Sequence, residues 1–375
     1  MNFKSYKPYT LANDAYLFQL FTELPANAFI NKGKCGNGGT TLEILNSNRS
    51  SIIVVPNRTI VKGKRDNHLF MQDVMAEVSI RQIEIFLMKD NSSKKIITTP
   101  EGMTKIIKAA TTIGLIDVLY NDWFLLLDEC HSMATEIFRD GILRPMEYFW
   151  QFQSKTMISA TPYFFTDPRM KLLDYYHIKI QGSLGKINLV DAFNVKATLQ
   201  MLIDQSLKTG ERLFIFFNSI YDFKALVKKC GLNHQNCSIY CANDREGKNI
   251  QKLGEYKSML KAEPDNNAFT LINFFTTANF EGWDLNTDER CKMVVATDVN
   301  LPHSTVGMNK CFQAFGRWRL TDSNKHLTPE LYHITNHRNR KTMKPLEEIS
   351  IEYTDRAETL ISHYNSLVDT KKKSI

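Results

Sequence analysis

The strongest constraint on this chain is an alternation. Short, unbroken apolar runs recur along it, and stretches with helical spacing lie between them. The runs occupy residues 28–31, 51–55, 95–98, 124–127 and 156–159, then 213–217, 237–241, 269–274, 293–297 and 331–334. They are rich in β-branched, leucine and aromatic residues and do not alternate apolar with polar, which suits strands buried on both faces of a parallel sheet. Helical patterns at 76–89, 196–207, 220–229 and 306–315 separate them. This predicts an α/β fold, because parallel neighbours need a crossover connection and a helix is the usual one.

The two sets of runs imply two units, and 375 residues suffice for two cores. The break falls within 180–195, where Gln181, Gly182, Ser183, Leu184 and Gly185 read as a hinge. The expected division is 1–185, 186–345 and a tail of 346–375. In the tail, Ala357, Leu360, Ile361, Tyr364 and Leu367 share helical spacing, so one amphipathic helix is expected to pack on the body, with Lys371, Lys372 and Lys373 beyond it.

Composition narrows the class of function. Apolar content of 43% and charged content of 23% fit a soluble globular protein. No run approaches the roughly 20 apolar residues of a membrane span. The first residues, MNFKSYKPYTLAND, lack the apolar core of a signal peptide, so a cytoplasmic protein without membrane partners is expected. A net charge of +7 is compatible with a polyanionic partner. Seven cysteines, an odd number, point to reduced thiols. Cys230, His234, Cys237 and Cys241 offer four potential zinc ligands, but without a tight CxxC pair they read better as a helix end followed by a strand.

Three segments carry chemistry. After the run at 28–31 comes KGKCGNGGTT, residues 32–41, a glycine-rich turn leading into a helix. Such a turn aims backbone N–H groups at phosphates, and a helix N-terminus adds positive potential. Against the pattern GxxxxGK(S/T), Gly33 and Gly38 are the two glycines and Thr40 is the magnesium-binding hydroxyl. Gly36, Gly39 and Thr41 complete the cradle, but Gly39 stands where the lysine belongs. The run at 124–127 ends in Asp128, Glu129, Cys130 and His131. A buried strand that delivers two acids at its carboxyl end suits a magnesium ligand, Asp128, beside a residue that orients and deprotonates water, Glu129. Gln313 and Arg317 form the third segment, in QAFGRWR.

Taken together and in order, these segments resemble the motifs of superfamily 2 helicases of the DEAD/DEAH-like group. Asp-Glu-Cys-His is similar to the DExH box, and MISATP at 157–162 to the Ser-Ala-Thr motif. IIVVPNR at 52–58 and IITTPEG at 96–102 resemble the two nucleic-acid motifs of the first lobe. LFIFFNS at 213–219, TTANFEGWD at 276–284 and QAFGRWR at 313–319 resemble motifs IV, V and VI of the second. The resemblance covers residues 25–335.

That resemblance implies two RecA-like parallel-sheet domains in tandem, a P-loop NTPase helicase core, with ATP and Mg2+ in the cleft between them. It implies Asp128, Glu129, His131, Gln313 and Arg317 as the hydrolytic set, with Arg319 as a second arginine standing one residue early. Gly282 and Asp284 would complete the nucleotide site, and Ser159 and Thr161 would couple the lobes. Arg58, Thr99, Asn218 and Thr276 would meet the backbone of DNA or RNA without reading sequence. The missing lysine leaves two expectations. In deviant Walker loops of the ParA and MinD type a lysine near the start of the loop acts, which makes Lys34 the candidate here; otherwise the chain is a helicase-like nucleic-acid-binding scaffold. A P-loop kinase would account for the loop and the acids but not for Gln313 and Arg317. No aromatic–glutamine element precedes the loop and no accessory module is recognised, so a minimal motor core targeted by a protein partner is expected.

Overall fold

The computed structural model describes residues 3–366 apart from 91–92, 137–138, 183–184, 243–246, 262, 320–323, 325 and 337–344. Two all-parallel sheets form the architecture. The first contains β1 (Ser5–Ala12), β2 (Ala28–Asn31), β3 (Ser51–Val54), β4 (Gln72–Val74), β5 (Lys95–Thr98), β6 (Phe124–Asp128), β7 (Ser154–Ser159) and β8 (Asp174–Gln181). They lie in the order β1-β8-β2-β7-β6-β3-β5-β4. The second contains β9 (Ile187–Asp191), β10 (Arg212–Phe216), β11 (Cys237–Tyr240), β12 (Leu260–Lys261), β13 (Ile272–Phe275), β14 (Cys291–Thr297) and β15 (Glu330–Thr335), in the order β12-β11-β13-β10-β14-β15-β9.

The unbroken apolar runs are explained by coverage of both faces of each sheet. In the first sheet Phe29, Ile52, Ile96, Leu125 and Met157 enter one apolar layer, while Ile30, Ile53, Ile97, Leu126 and Ile158 enter the opposite one. The second sheet divides in the same way, with Leu213, Ile215 and Phe274 on one side and Phe214, Phe216 and Phe275 on the other. On that second side the rings of Tyr240 and Phe275 stack at 4.8 Å, and Trp283 lies 5.0 Å from Phe275. Burying a large side chain of this kind contributes about 2–3 kcal/mol, so Trp283 fastens the loop that carries Glu281 and Asp284 to the sheet.

Five strands were not legible as apolar runs: β1, β4, β8, β9 and β12. β1 is an edge strand whose side chains alternate between half-buried and exposed along most of its length. It pairs with β8 from Ser5↔Asp174 to Ala12↔Gln181, and Ser5 Oγ and Lys7 Nζ each donate to Asp174 at 2.8 Å. Pro8 is tolerated there because an edge strand has one side free of the ladder.

The tail helix forms over Leu346–Ser366, but the expected packing is corrected. Ala357 and Ile361 are exposed, and so are Ile351 and Tyr353. Spacing produced the helix, and nothing in the sequence specified a surface to receive its stripe. The side chains of Leu360 and Tyr364, and Leu367 with Lys371, Lys372 and Lys373, lie outside the described residues. Cys230 caps the helix Ile220–Lys229 and Cys237 opens β11. Among the described residues no group of three or more His, Cys, Asp or Glu side chains converges as a metal site, and no helix is long and apolar enough to cross a membrane.

Candidate nucleotide site between the lobes

Parallel strands put their carboxyl ends on one rim, where ligands of open α/β sheets bind. On the rim of the first sheet β2 gives way to the glycine loop, β6 ends in Asp128, and β7 ends in Ser159. Gly33, Gly36 and Gly38 adopt φ of +75°, +71° and +85°, which side chains other than glycine rarely adopt, and the loop runs into the seven-residue helix α1 (Gly39–Leu45). The Thr40 hydroxyl donates to Asp128 Oδ2, which joins loop to acid. Thr41 Oγ1 accepts from Lys64 Nζ at 3.2 Å.

The acids are buried and densely paired. Glu129 has φ of +48°, a strained position for a residue with a side chain and of a kind that clusters at functional sites. Its Oε1 lies 2.7 Å from Lys32 Nζ, and its Oε2 accepts from Ser159 Oγ at 3.3 Å and lies 3.3 Å from His131 Nδ1. Lys32 Nζ also reaches Asp128 Oδ1 at 3.2 Å. Burial pushes the Glu129 carboxyl up, but Lys32 and His131 outweigh it and hold the group well below the carboxylate range. His131 shows the converse: burial disfavours its charge, yet Glu129 and Glu281 raise its pKa to about 9. Its Nε2 lies 3.4 Å from Glu281 Oε2, a charge contact whose angles fall outside hydrogen-bond geometry.

The second sheet contributes from the other side. The helix Met308–Phe315 carries Gln313, whose Nε2 donates to Glu129 Oε2 and to Thr161 Oγ1, each at 3.3 Å. Cys35 Sγ, within the glycine loop, donates to Gln313 Oε1 at 3.2 Å. Arg317 is 4% exposed and held by carbonyls: Nε donates to Gln313 O at 2.9 Å and Nη1 to Trp283 O at 2.8 Å. Its Nη2 touches Gln313 Oε1 at 3.3 Å. Arg319 instead pairs with Asp284, Nε to Oδ1 at 2.8 Å, and its guanidinium lies on the glycine loop, where an ideal Cβ at Gly36 would come within 2.5 Å of it. Gly282 presses equally close on Asn57, so motifs of the two lobes touch there as well. Lys310 bridges the lobes outright, 2.7 Å from Glu136 and 2.8 Å from Glu281.

Asp128, Glu129, His131, Ser159, Thr161, Gln313 and Arg317 therefore meet in one cluster, with Thr40 attached. Lys34 does not join it. Its ammonium donates to the carbonyl of Asn13 and lies 5.9 Å over the Tyr16 ring, so the ammonium on the acids is that of Lys32. The four residues expected at nucleic acid are spread around the rims. Arg58 opens the helix Arg58–Asn67, is half exposed, and pairs with Glu77. Asn218 donates to His303 O at 2.7 Å, and its Oδ1 accepts from Thr277. Thr99 and Thr276 are buried at the starts of 3-10 turns. Lys32, Cys35 and Glu281 lie inside quoted motifs but at positions to which the motif patterns assign no role, and Glu136 and Lys310 lie outside the motifs, so motif reading missed all five. Arg139, which clasps Glu101 at 2.7 Å and 2.9 Å and donates to Pro56 O, was missed for the same reason.

No family model and no curated protein matches the chain. Among solved structures it is similar to S. cerevisiae Dbp5 bound to Gle1 and IP6, at 14% identity and a TM-score of 0.49, covering 88% of this chain and 82% of that one. The helicase MrfA bound to DNA matches at 13% and 0.48, covering 88% of this chain and 46% of that one. The Pyrococcus furiosus Hef helicase domain matches at 11% and 0.45, covering 84% and 93%. At such values the fold assignment stands on the two all-parallel sheets and on the loops that face each other from their carboxyl rims. The fold is a tandem of two all-parallel α/β lobes.

Proposed function

We propose that this chain is an ATP-hydrolysing motor of superfamily 2 that moves along or unwinds DNA or RNA, with ATP bound between its lobes. One observation carries the reading: Glu129 of the first lobe meets Gln313 of the second, and Gln313 in turn holds Arg317. Acids from one side and a guanidinium from the other, over a glycine loop, suit phosphoryl transfer to water. The hydroxyl of Thr40 on the carboxylate of Asp128 is a pair of hard oxygens that suits Mg2+. When bound, that ion would offset phosphate charge.

The protein's own groups then have distinct tasks. Glu129 stays ionised beside Lys32 and His131, so it serves best as an acceptor that fixes the direction of a water molecule. Arg317 is held by carbonyls and, among the described residues, pairs with no carboxylate, which leaves its charge for phosphate. His131 touches Glu129 within its lobe and Glu281 across the cleft, so a change in lobe closure is felt at the acid. Arg58, Thr99, Asn218 and Thr276 remain the proposed contacts to nucleic-acid backbone, with Arg58 the most accessible.

The test is phosphate release from Mg-ATP with and without single-stranded DNA, duplex DNA and RNA. Stimulation by at least one polymer is expected. Absence of hydrolysis with all three overturns the reading and favours a helicase-like binding scaffold, for which Gly39 at the lysine position of the loop speaks.

A further inference from the structure

We propose that Lys32, the residue before the glycine loop, is the phosphate-binding lysine of this chain and replaces the side chain absent at Gly39; this rests on the nucleotide site proposed above. Lys32 is 4% exposed and fixed along its whole length. Its N–H donates to Ser159 O at 2.9 Å, its carbonyl accepts from Asn37 Nδ2 at 2.6 Å and from Lys34 N at 2.9 Å, and its ammonium sits on Asp128 and Glu129. The loop thus folds back over the residue that precedes it. An ammonium has three N–H donors. Two are used on the acids, and among the described residues the third has no partner.

Position 39 is closed to the same task. An ideal Cβ there would lie 2.9 Å from Ile158 Cδ1 and 3.5 Å from Leu17 Cδ1. A side chain would start into the apolar layer and not toward the acids. Lys34 is committed to Asn13 and Tyr16 on the far side of the loop. A buried ammonium is costly unless its partners repay the lost hydration. Of the two acids that repay it here, Asp128 is joined through Thr40 to the loop, so the charge is stored where a polyphosphate would arrive.

The experiment measures binding of fluorescent ATP, ADP and AMP analogues with Mg2+ to the full chain. Glu129→Gln is used as background, because removing one carboxylate charge keeps Lys32→Met from leaving two buried acids uncompensated. Circular dichroism melts check folding, and Lys32→Gln in the same background repeats the reading should the methionine variant melt early. Losing a charge-assisted hydrogen bond predicts at least tenfold weaker ATP binding for Lys32→Met. The loss should shrink for ADP and vanish for AMP, whereas Lys34→Ala should change ATP binding less than twofold. Equal loss for all three nucleotides, no loss, or a loss confined to Lys34→Ala overturns the role of Lys32 and leaves the nucleotide site standing. A wild-type protein that binds none of the three overturns the site, and the inference with it.

Discussion

The two carboxyl rims that face each other are built on opposite principles. The rim of the first sheet is largely satisfied within its own lobe: Lys32 and His131 balance the charges of Asp128 and Glu129, and Thr40 and Ser159 take further lone pairs. The rim of the second sheet is left open. Among the described residues Arg317 is gripped by carbonyls and the Gln313 amide alone, and Glu281 depends on Lys310 and on His131 of the other lobe. A self-satisfied rim can be rigid without its partner lobe. An open rim gains its full set of contacts only when the lobes meet, so on the proposed function the second rim is where closure would be felt.

The sharpest way to break that contrast is Arg317→Ala. Removing an arginine finger should lower turnover by about 10³-fold, read from steady-state phosphate release; a loss below tenfold would mean the open guanidinium is only structural. Next, Lys310→Ala should leave Glu281 to His131 and Glu136 to Arg139 alone, and cost up to about 3 kcal/mol. Urea unfolding should show it, with the smaller cost expected if the lobes separate and water reaches both acids. Third is pH. The raised pKa of His131, about 9, means that its contribution is complete below about pH 6.5 and is lost as pH rises through about 9. That loss should be about 3 kcal/mol at most, and His131→Asn should flatten the curve of stability against pH between 6.5 and 10.

Two smaller effects follow, one on each lobe. Arg319 is already paired with Asp284, so Arg319→Ala should lower turnover by about tenfold or less; equality with Arg317→Ala would erase the distinction between paired and unpaired guanidinium. Smallest is Arg58→Ala, which should weaken nucleic-acid binding a few-fold for all sequences and reduce the salt slope by about 1. A sequence-dependent loss would contradict a backbone contact.

How much was legible follows from where the information lies. Each of the ten apolar runs contains most or all of a strand, because a run buried on both faces needs no partner to be recognised, though in the run 269–274 the strand begins only at Ile272. That Asp128, Glu129, Gln313 and Arg317 come together was legible because a motif joins residue type to a strand end or helix. β1 was not legible, since its alternating pattern acquires meaning only against β8 across the register Ser5↔Asp174. The tail helix was half legible: local spacing makes a helix, and docking needs a receiving surface.

The sequence by itself determined two α/β units, their covered parallel strands and the order of the chemical loops, because periodicity and strand-end residues are local properties. Which lysine meets the acids was decided only by the tertiary structure. Lys32 and Lys34 are two residues apart in the same loop, and the left-handed turn at Gly33 sends one inward to Asp128 and Glu129 and the other outward to Tyr16. Coulomb energy and burial depend on distance through space, and no spacing along the chain encodes that.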